Sequence, residues 1–194
     1  MNRIMAIIIA GLSLAGTGLA PEGIWIVDAQ SHLTIHGSTN VNNFSCKMQY
    51  CTGTDTLQYV ECHSARELRF TRSLMTVPIR SFDCGAKPIS KDFWKTLRSE
   101  THPNLQINFI SLQNLTFRDK SNIKGVVDIT LAGSTTRYTI GYQATINRNG
   151  DVLLKGAHTV NFADFGLAAP QKMKGLIKVK EGLRVEFNLV LKQI

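Results

Sequence analysis

The sequence predicts an all-β protein, an antiparallel up-and-down barrel with one short amphipathic helix. Three observations predict it. Apolar and polar residues alternate with period two over most of the chain after Trp25, short turn segments separate the alternating runs, and a single segment switches to helical spacing. Consecutive strands joined by short turns, without crossover helices, form an antiparallel meander. About ten strands in one domain must hide their edges, and closing the sheet into a barrel does so completely.

The first twenty residues read as an export signal. Arg3 precedes an apolar run from Ile4 to Leu14, and a small-residue stretch ends in Gly18-Leu19-Ala20. A membrane-spanning helix needs roughly 20 predominantly apolar residues, and this run is shorter and broken by Gly11, Ser13 and Gly16. The expectation is a signal peptide over 1–20, a single barrel domain over 21–194, and a periplasmic or secreted location.

Alternating runs then cover Trp25–Ile35, Phe44–Tyr50, Thr56–Cys62 and Arg66–Arg72. Between Ser90 and Glu100, Phe93, Trp94 and Leu97 fall at helical spacing, and His102-Pro103 ends the helix because a residue before proline is pushed out of helical geometry. Strands resume at Leu105–Phe117, Lys124–Ala132, Tyr138–Ile146, Val152–Val160, Leu176–Val179 and Leu183–Leu191. Ala132-Gly133-Ser134-Thr135, Asn147-Arg148-Asn149-Gly150-Asp151 and Lys180-Glu181-Gly182 supply the turns. Asn161 to Pro170 is an irregular insertion carrying Phe162 and Phe165.

Beyond the signal, 21 basic residues face 14 acidic ones, a net charge of +7. The basic residues are scattered, with Lys172, Lys174, Lys178 and Lys180 as the densest group, which favours a solvated face over a nucleic-acid site. Four cysteines, Cys46, Cys51, Cys62 and Cys84, in an exported chain favour disulfides, with three pairings open. None has the two-residue spacing of a zinc ribbon.

Catalytic and metal motifs are missing from the text. His32 and His36 lie four apart, but on a strand that separates them by roughly 13 Å, and His63, His102 and His158 are solitary. No Gly-x-Ser-x-Gly elbow, phosphate loop or paired carboxylates in an aromatic setting occurs. Asn43-Phe44-Ser45 and Asn114-Leu115-Thr116 match glycosylation acceptors, a short and common pattern. The expectation is a non-enzyme without metal. The inward positions mix Phe109, Tyr138 and Phe187 with Gly125, Ala144 and Gly156. An eight-stranded barrel is wide enough to be packed solid or to hold one small ligand, and both readings stand at this point.

Four segments, in order, resemble the YceI-like family of lipid- or polyisoprenoid-binding proteins with a lipocalin-like barrel. They are Trp25-Ile26-Val27-Asp28 with Ser31 and Ile35; His102-Pro103 before the strand with Ile107 and Phe109; the hairpin from Ile123 to Ile140; and Asp164-Phe165-Gly166-Leu167. The resemblance implies an apolar interior that accepts an isoprenoid or fatty-acyl chain for transport, storage or sequestration, and no other cofactor. Under it Phe109, Ile129, Ile140, Tyr142 and Phe187 are wall residues, Phe162 and Phe165 stand at the mouth, and Trp94 sits on a lid helix. The "NFSC" and "SFDC" segments look like a variant in which Cys46 meets Cys84, leaving Cys51 and Cys62 to close the intervening hairpin. The partner implied by the resemblance is an apolar lipid; the basic balance leaves transient contact with a membrane surface open, export argues against nucleic acid, and pairing into a homodimer is left open. The rival reading is a stress-response or surface interaction module with a self-filled barrel. A lipid hydrolase or isomerase using His158 or Tyr142 comes third.

Overall fold

The structure is a computed structural model, which describes residues 22–49, 55–62, 66–113 and 121–194. The expected signal segment, Cys51, His63 and the acceptor at Asn114 lie outside the described residues. Among the described residues thirteen strands and one α-helix follow one another: β1 (Glu22–Val27), β2 (His32–Ser38), β3 (Asn43–Gln49), β4 (Thr56–Cys62), β5 (Glu67–Arg72), β6 (Leu74–Pro78), α1 (Lys87–Thr96), β7 (Asn104–Gln113), β8 (Ser121–Leu131), β9 (Ser134–Ile146), β10 (Val152–Asn161), β11 (Gln171–Lys172), β12 (Ile177–Lys178) and β13 (Gly182–Gln193).

All pairings are antiparallel, and they close on themselves. The circuit runs β1-β4-β5-β7-β8-β9-β10-β13 and returns to β1 through Trp25↔Gln193 and Val27↔Leu191. Two walls of the barrel are strands bent in the middle. The run Trp25–Ile35 is one stretch of alternation, but it divides at Asp28–Ser31 into β1 and β2. Buried Ser31 holds the bend, its Oγ accepting from Val190 N at 2.9 Å. The break lets β13 pair β1 near its C-terminus and β2 nearer its start. β5 and β6 divide in the same way at Ser73, opposite a register irregularity between Phe109 and Ser111 of β7. The short β6 was not expected from the alternation.

The turns follow their chemistry. Ala132 (φ 51°) and Gly133 (φ 84°) both adopt positive φ between β8 and β9, the primed geometry that matches strand twist. The β9–β10 loop is held by Asn147, whose Oδ1 accepts from the N–H groups of Asn149 and Asp151.

Helix α1 begins at Lys87 rather than near Ser90, since Pro88 is tolerated in a first turn. It ends at Thr96, where Arg98 turns to φ 54°. A helix spaces residues i and i+4 on one face, so Phe93 and Leu97 point inward and are buried, while Trp94, half-buried at the edge of that face, packs against the core and donates from Nε1 to Phe82 O at 3.0 Å. A disulfide joins Cys46 of β3 to Cys84, just before α1. The adjacent Lys47↔Asp83 bridge and the Cys84 N–H, donated to Ser90 Oγ at 3.0 Å, carry that link into the helix. Cys62 is a half-buried free thiol among the described residues; Cys51, its expected partner, lies outside them.

Candidate functional site

The barrel's interior divides along its axis. One end is filled by aromatic rings. Trp25 stacks on Tyr59 with centroids 4.4 Å apart, Phe70 lies 6.1 Å from Trp25, and Phe109 lies 5.6 Å from Phe70. Trp25 Nε1 donates to Gln193 Oε1 at 2.7 Å, so the indole satisfies its one polar atom without water.

Glycines let further rings sink into the wall. A Cβ on Gly125 would stand 2.7 Å from the Tyr142 ring, and one on Gly156 would stand 2.8 Å from it. The small residues of β8 and β10, which in the sequence are compatible with a void, are therefore occupied by Tyr142. Burial drives the Tyr142 hydroxyl far above its ordinary pKa, so it stays neutral.

The other end is aliphatic and lies under α1. Here Phe93 and Leu97 of the helix face Leu33 and Ile35 of β2, Ile107 of β7, Ile129 and Leu131 of β8 and Val185 of β13 around a cavity of about 60 Å³. Phe165 and Phe187 complete the wall, and every lining residue is apolar. The Asp164-Phe165-Gly166-Leu167 segment shapes this end. It is a 3₁₀ turn over Phe162–Phe165 in which the Asp164 carboxylate accepts from Asn161 N at 2.9 Å and from the Tyr138 hydroxyl at 2.7 Å. These donors, the Asn161 N–H first and Tyr138 next, hold the Asp164 carboxyl below the usual carboxylate range. Gly166 takes φ 64° and closes the turn, which aims Phe165 inward.

Of the eight expected ligand contacts, Ile129, Phe165 and Phe187 line this cavity. Phe109, Ile140 and Tyr142 are buried outside its lining, Phe162 is buried beside Phe165 but does not line it, and Trp94 is half-buried against the core without lining it. Leu97, Leu131 and Val185 were not singled out from sequence. Leu97 had a signal in its spacing from Phe93; for the other two, alternation tells inside from outside but not height along the barrel.

A wider depression of about 670 Å³ lies on the outer face across β8, β9, β10, β13 and β2. Gly141 and Ala157 form part of its floor, and Lys124, Lys155 and Arg184 stand among its lining residues. It is open and of mixed character, with the Arg184–Glu186 pair at 3.3 Å along it. The histidines are placed apart: His32 meets Asn188 and Gln30, His36 meets Glu186, and His158 lies edge-on to Tyr138 at 5.0 Å.

The described strands thus form a closed antiparallel barrel with an apolar, helix-capped interior. Its particular form is the YceI-like fold. The chain is similar to a polyisoprenoid binding domain from Saccharophagus degradans, described as implicated in plant cell wall breakdown, with TM-score 0.61 and 9% identity over 90% of this chain and 100% of that one. It is similar to BcnA of Burkholderia cenocepacia (TM-score 0.57, 17% identity, 84% and 98% covered) and to a mutant of Campylobacter jejuni YceI (0.52, 11%, 71% and 80%). No protein-family model matches the chain, and no curated protein matches it as a relative.

Proposed function

We propose that this protein is an exported, non-catalytic lipid-binding barrel that takes an isoprenoid or fatty-acyl chain into its aliphatic end, beneath α1, and keeps it from water. The observation that carries this reading is the wholly apolar lining of the cavity under the helix. Each methylene removed from water contributes about 0.8 kcal/mol, so a chain-like guest needs few polar contacts. The fold likeness to a polyisoprenoid binding domain supports the same ligand class, and the Cys46–Cys84 disulfide supports an oxidising compartment.

The cavity of about 60 Å³ is well below the roughly 300–1,000 Å³ of small-molecule sites. Binding therefore includes an opening step. The element suited to it is α1, which rests on the barrel through Phe93 and Leu97 and is tethered at its start by the disulfide. The test is organic extraction of the purified protein followed by mass spectrometry, paired with titration of the stripped protein by prenyl and acyl compounds. A co-extracted lipid, or saturable binding of either class, is expected. Protein that comes off empty and binds neither class overturns the reading.

The small cavity also favours a second reading, a self-filled barrel acting through its surface, whose seat would be the basic outer depression with Lys124 and Lys155. Substitutions that fill the interior leave such a function intact.

A further inference from the structure

We propose that the β11–β12 hairpin and the neighbouring β2–β3 turn form a membrane-docking tip for an anionic lipid surface. This goes beyond the binding of a lipid in the interior and does not depend on it. Three of the most exposed large apolar side chains meet here: Leu176 (71% exposed), Met173 (66%) and Val41 (66%). They belong to segments far apart in sequence that the fold brings together. Asn40 N–H donates to Lys178 O at 3.1 Å, Asn40 Nδ2 donates to Leu176 O at 2.9 Å, and Lys178 N–H donates to Asn40 Oδ1 at 2.9 Å. Two walls of hydrogen-bonded backbone thus present three apolar side chains that remain exposed among the described residues.

The backbone of the hairpin holds them out at a conformational cost. Met173 (φ 52°), Lys174 (φ 55°) and Gly175 (φ 89°) are three successive residues in the left-handed region, which side-chain-bearing residues rarely adopt. Such strain persists where surrounding structure imposes it and clusters at functional positions.

The charge carried by the hairpin segment itself has one sign. From Phe165 to Lys180 the chain carries no carboxylate, while Lys172, Lys174, Lys178 and Lys180 are all exposed. Apolar side chains rimmed by lysines are the signature of a surface that sits at a lipid headgroup boundary, and each lysine near an anionic bilayer strengthens partitioning about fivefold. The tip is continuous with the helix, because Lys172 Nζ pairs with Asp92 Oδ1 of α1 at 2.6 Å, and exposed Ile89 lies one turn before Asp92 on the same face. Docking here places the aliphatic end of the barrel, rather than its aromatic end, against the bilayer.

The experiment is co-sedimentation of the protein with phosphatidylcholine vesicles and with vesicles of equal parts phosphatidylcholine and phosphatidylglycerol. Binding to the anionic vesicles alone, weakened by salt, is expected. Met173→Ser with Leu176→Ser is expected to reduce that binding at least tenfold without changing the thermal unfolding midpoint, both side chains being exposed in the free protein. Three results overturn the proposal: no binding to either vesicle; binding that falls with salt but ignores the two serines, which is plain electrostatic adsorption; or a dimer in solution that the serine pair dissolves, which assigns the tip to a second copy of the chain.

Discussion

The two ends of the barrel are built from the same alternating strands and differ in what their inward residues are. At one end Trp25, Tyr59, Phe70 and Phe109 interlock; at the other, mostly leucine, isoleucine and valine side chains, with Phe82, Phe93, Phe165 and Phe187 among them, enclose a cavity beneath a helix. Rings brought edge to face leave little slack, and any loss there leaves a hole that the rigid wall cannot collapse to fill. Branched aliphatic side chains around a small void, closed by a helix that can shift, are easier to part. The lesson is a division of labour along one axis: the aromatic end contributes stability, and the helix-capped end contributes access.

The comparison is sharpened most by Trp25→Ala. It should lower stability by about 3–5 kcal/mol, read as a fall in the urea midpoint, while stripped protein below its new midpoint still binds a prenyl or acyl compound. Next comes the tether. Replacing both Cys46 and Cys84 by serine opens a crosslink of sequence separation 38 and should cost about 3–4 kcal/mol. Hydrogen exchange should show α1 amides losing more protection than those of β9 or β10; uniform loss would break the link between the disulfide and the lid.

A matched pair of enlargements compares the ends directly. Leu112→Phe in the filled half should cost about 1–3 kcal/mol through overpacking. Ile129→Phe, beside the cavity, should change stability by less than about 1 kcal/mol and should abolish lipid uptake. Equal costs at the two sites would mean that the ends do not differ in slack.

The smallest effect concerns pH. The Asp164 carboxyl is held low by the Asn161 N–H and the Tyr138 hydroxyl. A lowered folded value stabilises the protein above the unfolded carboxyl pKa of about 3.9, and that contribution disappears as pH falls through the folded value. Asp164→Asn should therefore narrow the stability gap between neutral and acid pH, by less than about 1 kcal/mol. Urea midpoints measured for both proteins across the acid range check it.

Much of this architecture is legible in the sequence, and the limits are physical. The alternation in β8, β9 and β13 tells the inward face from the outward one, because side-chain direction is local; in β7 it holds only up to the irregularity after Phe109, beyond which Ser111 and Leu112 are both buried. Height along the axis is set by register between distant strands, so Phe109 and Ile129 read alike, yet Phe109 packs on Phe70 and Ile129, a single inward position further along, lines the cavity. The bend at Ser31 is invisible to alternation because its hydrogen bonds reach Val190, 159 residues away. Gly125 and Gly156 resemble empty space in a one-dimensional list, and Tyr142, from the strand between them, fills it. For α1, the helical period brings Phe93, Trp94 and Leu97 together on the side that packs against the core.

Photocrosslinking with a diazirine-bearing fatty acid, mapped by mass spectrometry, tests the central claim most directly. Adducts on Phe93, Leu97, Leu131 and Val185 are predicted, and their loss in Ile129→Phe. Adducts confined to the outer face around Lys124 and Lys155, or none at saturating probe, would contradict a guest beneath the helix.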